Sequence, residues 1–337
     1  MVHVTHFVRK RTPGAFSIET VYADVRQSLP SDVDVDVWEC RHVSQGILGR
    51  LADAWAASRC RTNVNHVTGD VHYLTFMMKK KRTILTIHDC VSLDRASGLK
   101  RFLLWLLWYW LPEKCSGTIV AISEATKRQF LSHVRCDPAK VVVIHNPVGR
   151  EFAPAPKAAF PTRPTLLVVG TSENKNIERM AEAAKGLPVR WVVVGRLSDG
   201  HVRAFRQAAA EYTSVENLRK EQLLDQYIQC DIVMFASTYE GFGLPIVEAQ
   251  ATGRPVITSD VWSMPEVAGD GACIVNPFDV ASIRAGLRRV IEDDEYRRHL
   301  VEAGFANVQR FSHARVAEAY ANLYRRVAAS DKDARAR

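Results

Sequence analysis

The chain has 337 residues, 47% hydrophobic and 24% charged, an ordinary globular composition with room for two domains. Its net charge of +8 favours anionic partners (nucleic acid, phosphorylated metabolites or an acidic membrane surface), although the densest basic runs are only "RKR" at 9–11 and "KKKR" at 79–82. Seven scattered cysteines without a C-x-x-C pair argue against a disulfide framework or a zinc site, and the short apolar run of "MVHVTHFVRKR" argues against a signal peptide, so a cytoplasmic protein is expected.

In chain order, "MVHVTHFV" reads as a strand, and Ile18, Val21, Val25 and Leu29 give "FSIETVYADVRQSLP" the spacing of a helix. "VDVDVWEC" alternates as a strand does, "VSQGILGRLADAWAASRC" is an amphipathic helix, and "VNHVTG" and "RTILTIHD" are strands, the second ending in a polar pair. "GLKRFLLWLLWYWLPEKC" (98–115) then runs through ten consecutive apolar residues, Phe102 to Leu111. A bilayer takes about 20. The plainer reading is a buried core helix ended by Pro112; the alternative is a helix lying in a membrane interface between basic flanks. The strand "GTIVAIS", the helix "EATKRQFLSHV" and the strand "KVVVIHNPV" complete this half.

"GREFAPAPKAAFPTRP" (149–164), with four prolines in its last eleven residues, reads as an interdomain linker. A second alternation follows. "TLLVVG", "VRWVVVGR", "DIVMFAS", "RPVITSD" and "ACIVNP" are strands; "NIERMAEAAKGL", "SDGHVRAFRQAAAEY", "KEQLLDQYIQC" and "IVEAQATG" are helices, with a short "SVENL" segment between the second and third. Helices over 279–293, about 294–309 and 313–328 close the chain. Strand–helix alternation on both sides of a proline-rich stretch predicts two Rossmann-like, doubly wound α/β halves.

Such sheets bind ligands beyond the carboxyl ends of their strands, against helix N-termini. After "TLLVVG", Gly170 and Thr171 form a turn that leads to Lys175 and Asn176 at a helix start, where glycine admits phosphate and lysine supplies charge. A solvated loop can look the same. Gly195 and Arg196 repeat the arrangement after the next strand. The most informative stretch is "TYEGFGLPIVE" (238–248). Pro245 suits a first helical turn, so Gly241, Phe242, Gly243 and Leu244 would place backbone amides at a helix N-terminus, an anion site without a basic side chain. Glu240 and Glu248 flank it, and carboxylates are natural acceptors for hydroxyls. Phosphate between two hydroxyl-rich groups describes a nucleotide sugar. A pair of hydrolytic carboxylates would not need the glycine-rich helix start.

The stretch "FASTYEGFGLPIVEAQATGRPVITSDVWSMPEVAGDGACIVNP", with its E-x7-E spacing, together with "VVGTSENKN", "TILTIHD", "IVAISEATKRQF" and "KVVVIHNPV", resembles the retaining glycosyltransferases of the GT-B fold, family four, also called glycosyl transferases group 1. The resemblance implies two Rossmann-like domains facing across a cleft. Residues 1–150 would bind acceptor, 151–312 would bind the nucleotide sugar, and a helix over 313–337, frayed at its tail, would cross back to the first domain. It implies Glu240 on the donor sugar's hydroxyls, the amides of 241–244 on sugar and diphosphate, Glu248 on the ribose, Lys175 on the leaving diphosphate, and His88 lining the cleft with Asp89 beside it. Gly14, Ser17 and Ser123 would lie on the acceptor side. It further implies transfer with retention, no metal and no cofactor beyond a UDP- or GDP-linked sugar as co-substrate. Two departures stand out. Thr171, Ser172, Glu173 and Asn174 occupy the loop where the family often carries an arginine, and "RTPGAFSIE" has one glycine where two are usual. Partners would be a nucleotide-sugar donor and a glycan or lipid-linked acceptor, not nucleic acid, with peripheral contact at the inner face of the cytoplasmic membrane through 79–82 and 98–115. A nucleotide-sugar epimerase and a non-catalytic paralog are the rival readings.

Overall fold

The computed structural model describes residues 1–10, 17–44, 46–60, 62–157 and 159–336, Ser17 and 331–336 by backbone alone. The chain divides into two compact units, Met1–Pro147 with His313–Arg337, and Val148–Ser312.

Unit 1 is a parallel sheet of β1 (Val2–Val8), β2 (Val33–Glu39), β3 (Val64–Val67), β4 (Thr83–Ile87), β5 (Thr118–Ala121) and β6 (Val141–Val143), in the order β2-β1-β3-β4-β5-β6. Its crossovers carry α1 (Ser17–Ser28), α2 (Ile47–Ala57), α3 (Val91–Arg95), α4 (Gly98–Leu104), a π-helical stretch at Trp105–Trp110, α5 (Leu111–Cys115) and α6 (Glu124–His133). Strands buried on both faces read as unbroken apolar runs, and Phe7, Val67, Leu85, Ile87 and Ile119 accordingly meet in one core cluster.

The segment 98–115 corrects the plainer reading of the sequence. It is not a buried helix: α4 buries no residue, and Leu99, Phe102, Leu103 and Leu107 are exposed. Only one side is held, by Tyr109, Trp105 and Trp108 against the unit 1 core. An apolar run reports hydrophobicity but not which side is covered.

Unit 2 repeats the architecture with β7 (Thr165–Val169), α7 (Ile177–Ala183), β8 (Arg190–Val194), α8 (Asp199–Gln207), β9 (Glu211–Val215), α9 (Lys220–Gln229), β10 (Ile232–Phe235), α10 (Leu244–Thr252), β11 (Val256–Ser259), α11 (Met264–Ala268), β12 (Cys273–Val275), α12 (Val280–Glu292) and α13 (Asp294–Val308). The sheet is parallel, in the order β12-β11-β10-β7-β8-β9. Strand β9 was not legible as one. Its "EYTSV" is polar because it forms the sheet edge, pairing only with β8, and α8 stops short of it where Ala209 turns left-handed at φ 52°.

The proline-rich 149–164 stretch is not a free tether. Phe152 packs edge-on against Tyr227 at 5.2 Å, Arg254 donates to the Ala155 carbonyl at 2.8 Å, and Lys157 pairs with Asp231. The last helix, α14 (His313–Ala336), belongs to unit 1. Its Tyr324 hydroxyl lies 2.8 Å from both His6 Nε2 and His66 Nδ1, and Tyr320 bonds Tyr22 at 3.0 Å.

Candidate functional site

In unit 2 the strand order reverses between β7 and β10. Loops leaving the two strands on either side of such a switch point diverge and open a crevice at the carboxyl edge. Those loops are 170–176 and 236–243, the two that the sequence marks most strongly.

Gly170 adopts φ +91°, and a Cβ there would stand 2.9 Å from Lys175 Cε. Glycine therefore both makes the turn and lets the lysine stem lie across it. Lys175 Nζ reaches Glu240 Oε1 at 2.6 Å and stands 4.6 Å from the Phe235 ring centroid. Asn174, in the loop 171–174 where the resembled family often carries an arginine, donates to the same Glu240 oxygen at 3.1 Å and to the Tyr239 carbonyl at 2.8 Å. Its own carbonyl accepts from Thr238 N at 2.8 Å. The loops after β7 and β10 are thus stitched by Asn174 and closed by an ion pair.

Asn176 is left-handed at φ 59° and buried; its amide donates to the carbonyls of Ala236 and Pro277, and its oxygen accepts from Arg179. These bonds make it a brace for Lys175. Thr171 packs on Gly195, where a Cβ would come within 2.9 Å of its methyl group. Arg196 is exposed at the end of β8.

Gly243 (φ +105°) opens α10, followed by Leu244 and Pro245 in the first turn. A helix start carries roughly half a positive charge on its unpaired amides. The loop beneath is fixed from two directions. Ser263 Oγ lies 2.9 Å from the Glu240 carbonyl and 2.8 Å from that of Phe242, and the Phe242 ring packs edge-on against Phe311 at 5.6 Å. One turn into α10, Glu248 accepts a 2.5 Å hydrogen bond from the Tyr227 hydroxyl. Burial pushes the Glu248 carboxyl up to about 7, an effect the Tyr227 bond opposes. Lys175, Glu240 and a helix start therefore meet at the switch point, with Glu248 one turn inside that helix, an arrangement that suits an anion flanked by hydroxyls.

Asn174, Tyr227 and Ser263 were missed by sequence reasoning. Asn174 lay in a loop already singled out, so its neighbour Lys175 was a signal. Tyr227 and Ser263 carried none, because they reach the site only through tertiary contacts.

In unit 1 the order reverses between β1 and β3, and β4 stands next in the sheet. His88 directly follows β4, its Nε2 2.8 Å from the Thr68 carbonyl that follows β3. A carbonyl only accepts, so Nε2 carries the proton and Nδ1 is the acceptor nitrogen. Burial lowers the His88 pKa, holding the ring neutral. The Tyr22 ring stands edge-on to it at 6.4 Å. Asp89 accepts from the Val91 amide at 3.0 Å, and burial raises its pKa. Ser123 is buried as the N-cap of α6, its Oγ accepting from Thr126 N at 3.0 Å. Gly14 lies outside the described residues, as does the side chain of Ser17, which begins α1.

With this geometry in hand, two family models match adjoining parts of the chain: "Glycosyltransferase Family 4" over residues 25–152 and "Glycosyl transferases group 1" over 149–306. The chain is 25% identical over 263 residues to the serotype-specific mannosyltransferase WbdA of Escherichia coli, covering 70% of this chain and 32% of that protein. It is 40% identical over 92 residues to the O-antigen chain mannosyltransferase B of Escherichia coli, covering 27% of this chain and 24% of that one. It therefore spans about a quarter to a third of the length of these relatives. Among solved structures, Anabaena Alr3699/HepE in complex with UDP and glucose superposes with a TM-score of 0.73 at 15% identity, over 96% of this chain and 99% of that one. That likeness is one of fold.

Proposed function

The chain belongs to the group 1 glycosyl transferases, family four, with the GT-B fold, and from that premise we propose that it is a retaining glycosyltransferase. It moves a sugar from a nucleotide-diphosphate sugar to a hydroxyl acceptor in glycan, polysaccharide or lipopolysaccharide assembly. The observation that carries this reading is the convergence of Lys175, Glu240 and the start of α10 at the switch point of unit 2.

In the proposed complex the diphosphate lies against the α10 amides, and Lys175 leaves Glu240 to meet it, stabilising charge as it develops on the leaving group. Glu240, released from the lysine, accepts from the sugar's hydroxyls, and Glu248, steadied by Tyr227, accepts from the ribose. Gly170, Thr171, Asn176, Gly195 and Arg196 shape the donor side. In unit 1, His88 serves the transferred sugar; Asp89, Ser123, Gly14 and Ser17 belong to the acceptor side. The acceptor oxygen bonds to the anomeric carbon on the face that the diphosphate leaves, the carbon–phosphate-oxygen bond breaks, and the departing phosphate oxygen takes the acceptor proton. The names of the two Escherichia coli relatives put mannose first among the sugars to test, linked to GDP or UDP. Contact with a membrane through 79–82 and 98–115 suits a lipid-linked acceptor.

Thermal shifts across a panel of UDP- and GDP-sugars should identify the donor. Glu240→Ala should lower turnover by about 100-fold or more while the free nucleoside diphosphate still binds. Transfer at the wild-type rate by that variant would refute the site.

A further inference from the structure

Helix α2 is built inside out. Its buried residues are Asp53, Ala54 and Ala57, and Arg50 is laid over the Trp108 ring at 4.8 Å. Its large apolar side chains face solvent: Ile47, Leu48, Leu51 and Trp55 are 74%, 83%, 48% and 54% exposed. Residues 47, 51 and 55 form one stripe at helical spacing. A helix serving only its own core would turn these side chains inward and leave the alanines outside.

A second stripe runs along 98–110. Leu99, the pair Phe102 and Leu103, and Leu107 follow one another at helical spacing, Leu99, Leu103 and Leu107 at intervals of four, and all are exposed. The inner sides of both helical segments share one core cluster, Ala54 and Ala57 with Trp105, Trp108 and Trp110. The two stripes therefore belong to the helical layer over one face of the unit 1 sheet. Scattered exposed apolar residues need no explanation, but two stripes in one layer do.

Charge narrows the choice of partner. The one acid of α2, Asp53, is buried and accepts from the amides of Arg41 and His42. Residues 98–111 contain no acid, and Glu113 beyond them is paired with Lys140 and Lys114. Nearby, Asp70 accepts from Trp108 Nε1 and Asp94 from Gln129. Arg59, Lys100 and Arg101 are exposed at the margins. An apolar centre with a cationic margin complements phosphate headgroups over acyl chains. A second copy docked by two-fold symmetry would instead bring like cationic margins together.

We propose that the outer faces of α2 and of the 98–110 segment form one docking surface for an anionic lipid bilayer. The apolar side chains enter the interface and the cations meet lipid phosphates. Among the described residues no helix is long and apolar enough to cross a membrane, so the contact is peripheral. The surface lies close to the acceptor side of unit 1. Tyr109, within the π-helical stretch, bonds Ser92 at 3.0 Å and donates to the Asp89 carbonyl at 3.4 Å. Docking thus places the residues around His88 beside the bilayer, where a lipid-linked hydroxyl acceptor would be presented. That last step rests on the transferase reading; the docking itself does not.

The test is co-sedimentation of the full chain with phosphatidylcholine vesicles, with and without 30% phosphatidylglycerol (a chosen composition, roughly that needed for a strongly anionic surface). Two variants carry it, Leu48→Ser with Leu51→Ser, and Phe102→Ser with Leu103→Ser. All four positions are exposed, so circular dichroism melts should match wild type. The wild type is expected to pellet with the anionic vesicles and to be released by salt, and each double variant to bind about tenfold or more weakly. Equal pelleting of wild type and both variants would overturn the proposal. So would a wild type that stays in the supernatant, including one that elutes as a dimer dissociated by Leu48→Ser with Leu51→Ser. Nucleoside diphosphate thermal shifts are read in parallel on every variant. A wild type that fails to bind vesicles but keeps its nucleotide shift faults docking alone, whereas an absent nucleotide shift in the wild type faults the transferase reading alone.

Discussion

Glu248 shows how one residue can be set for its task by its surroundings. It stands one turn inside α10 with Tyr227 donating to it, and burial raises its carboxyl from 4.5 to about 7. With no ligand bound, a carboxyl raised in this way contributes stability below pH 4.5 that is lost as the pH rises through about 7. A ribose hydroxyl that donates to Glu248 favours the ionised form and reverses that penalty. Nucleotide affinity should therefore tighten as the pH rises from about 6 to about 8, and Glu248→Gln should flatten that dependence. Calorimetric titration across that range checks it; an unchanged slope in the variant would remove Glu248 from the ribose site. The glutamates and Lys175 were readable because the residues that place them are adjacent in sequence, glycines and a helix start. Asn174 shows the limit. It lies in a loop, 171–174, that carries no basic side chain, and only the fold shows that it bonds Glu240.

At the scale of elements, α14 is tied to the unit 1 sheet by polar bonds as well as apolar burial. The order of donors can be worked out from its one obligate donor. Arg26 can only donate, so His6 Nδ1 accepts at 3.4 Å and His6 Nε2 donates to Tyr324. Tyr324 then donates to His66 Nδ1, leaving His66 Nε2 to donate to Thr86 at 2.8 Å. Thr86 in turn meets Tyr22, which bonds Tyr320. Every link depends on neutral imidazoles, and burial lowers both histidines, His66 to about 3. Tyr324→Phe removes a partner from two buried rings and should cost about 1–3 kcal/mol, measured by urea unfolding. A cost near zero would show that water replaces the hydroxyl. The helix itself was legible from its periodicity. Its attachment to β1, β3 and β4 was not, since periodicity gives the apolar stripe of a helix but not the sheet that receives it.

At the scale of the molecule, each unit has its own sheet and its own core cluster, so each is a candidate for its own unfolding transition. A nucleoside diphosphate binding in the unit 2 crevice should raise the unit 2 transition by about 2.7 kcal/mol at a hundred times its Kd and leave that of unit 1 in place. Calorimetry with and without UDP or GDP reads both; a shift confined to unit 1 would move the donor site. Twin alternation of strand and helix, the glycine-bearing turns and the E-x7-E stretch were determined by the sequence alone, because each is written in residues close along the chain. Strand order was decided only in three dimensions. It is the reversal between β7 and β10 that brings Lys175 within 2.6 Å of Glu240 across 65 residues of chain. The same holds for the outward face of α2, which looks like any amphipathic helix in sequence. A helix has an apolar side by composition, but whether that side meets the core or the surroundings depends on what else fills the core, and here Asp53, Ala54 and Ala57 take the buried side.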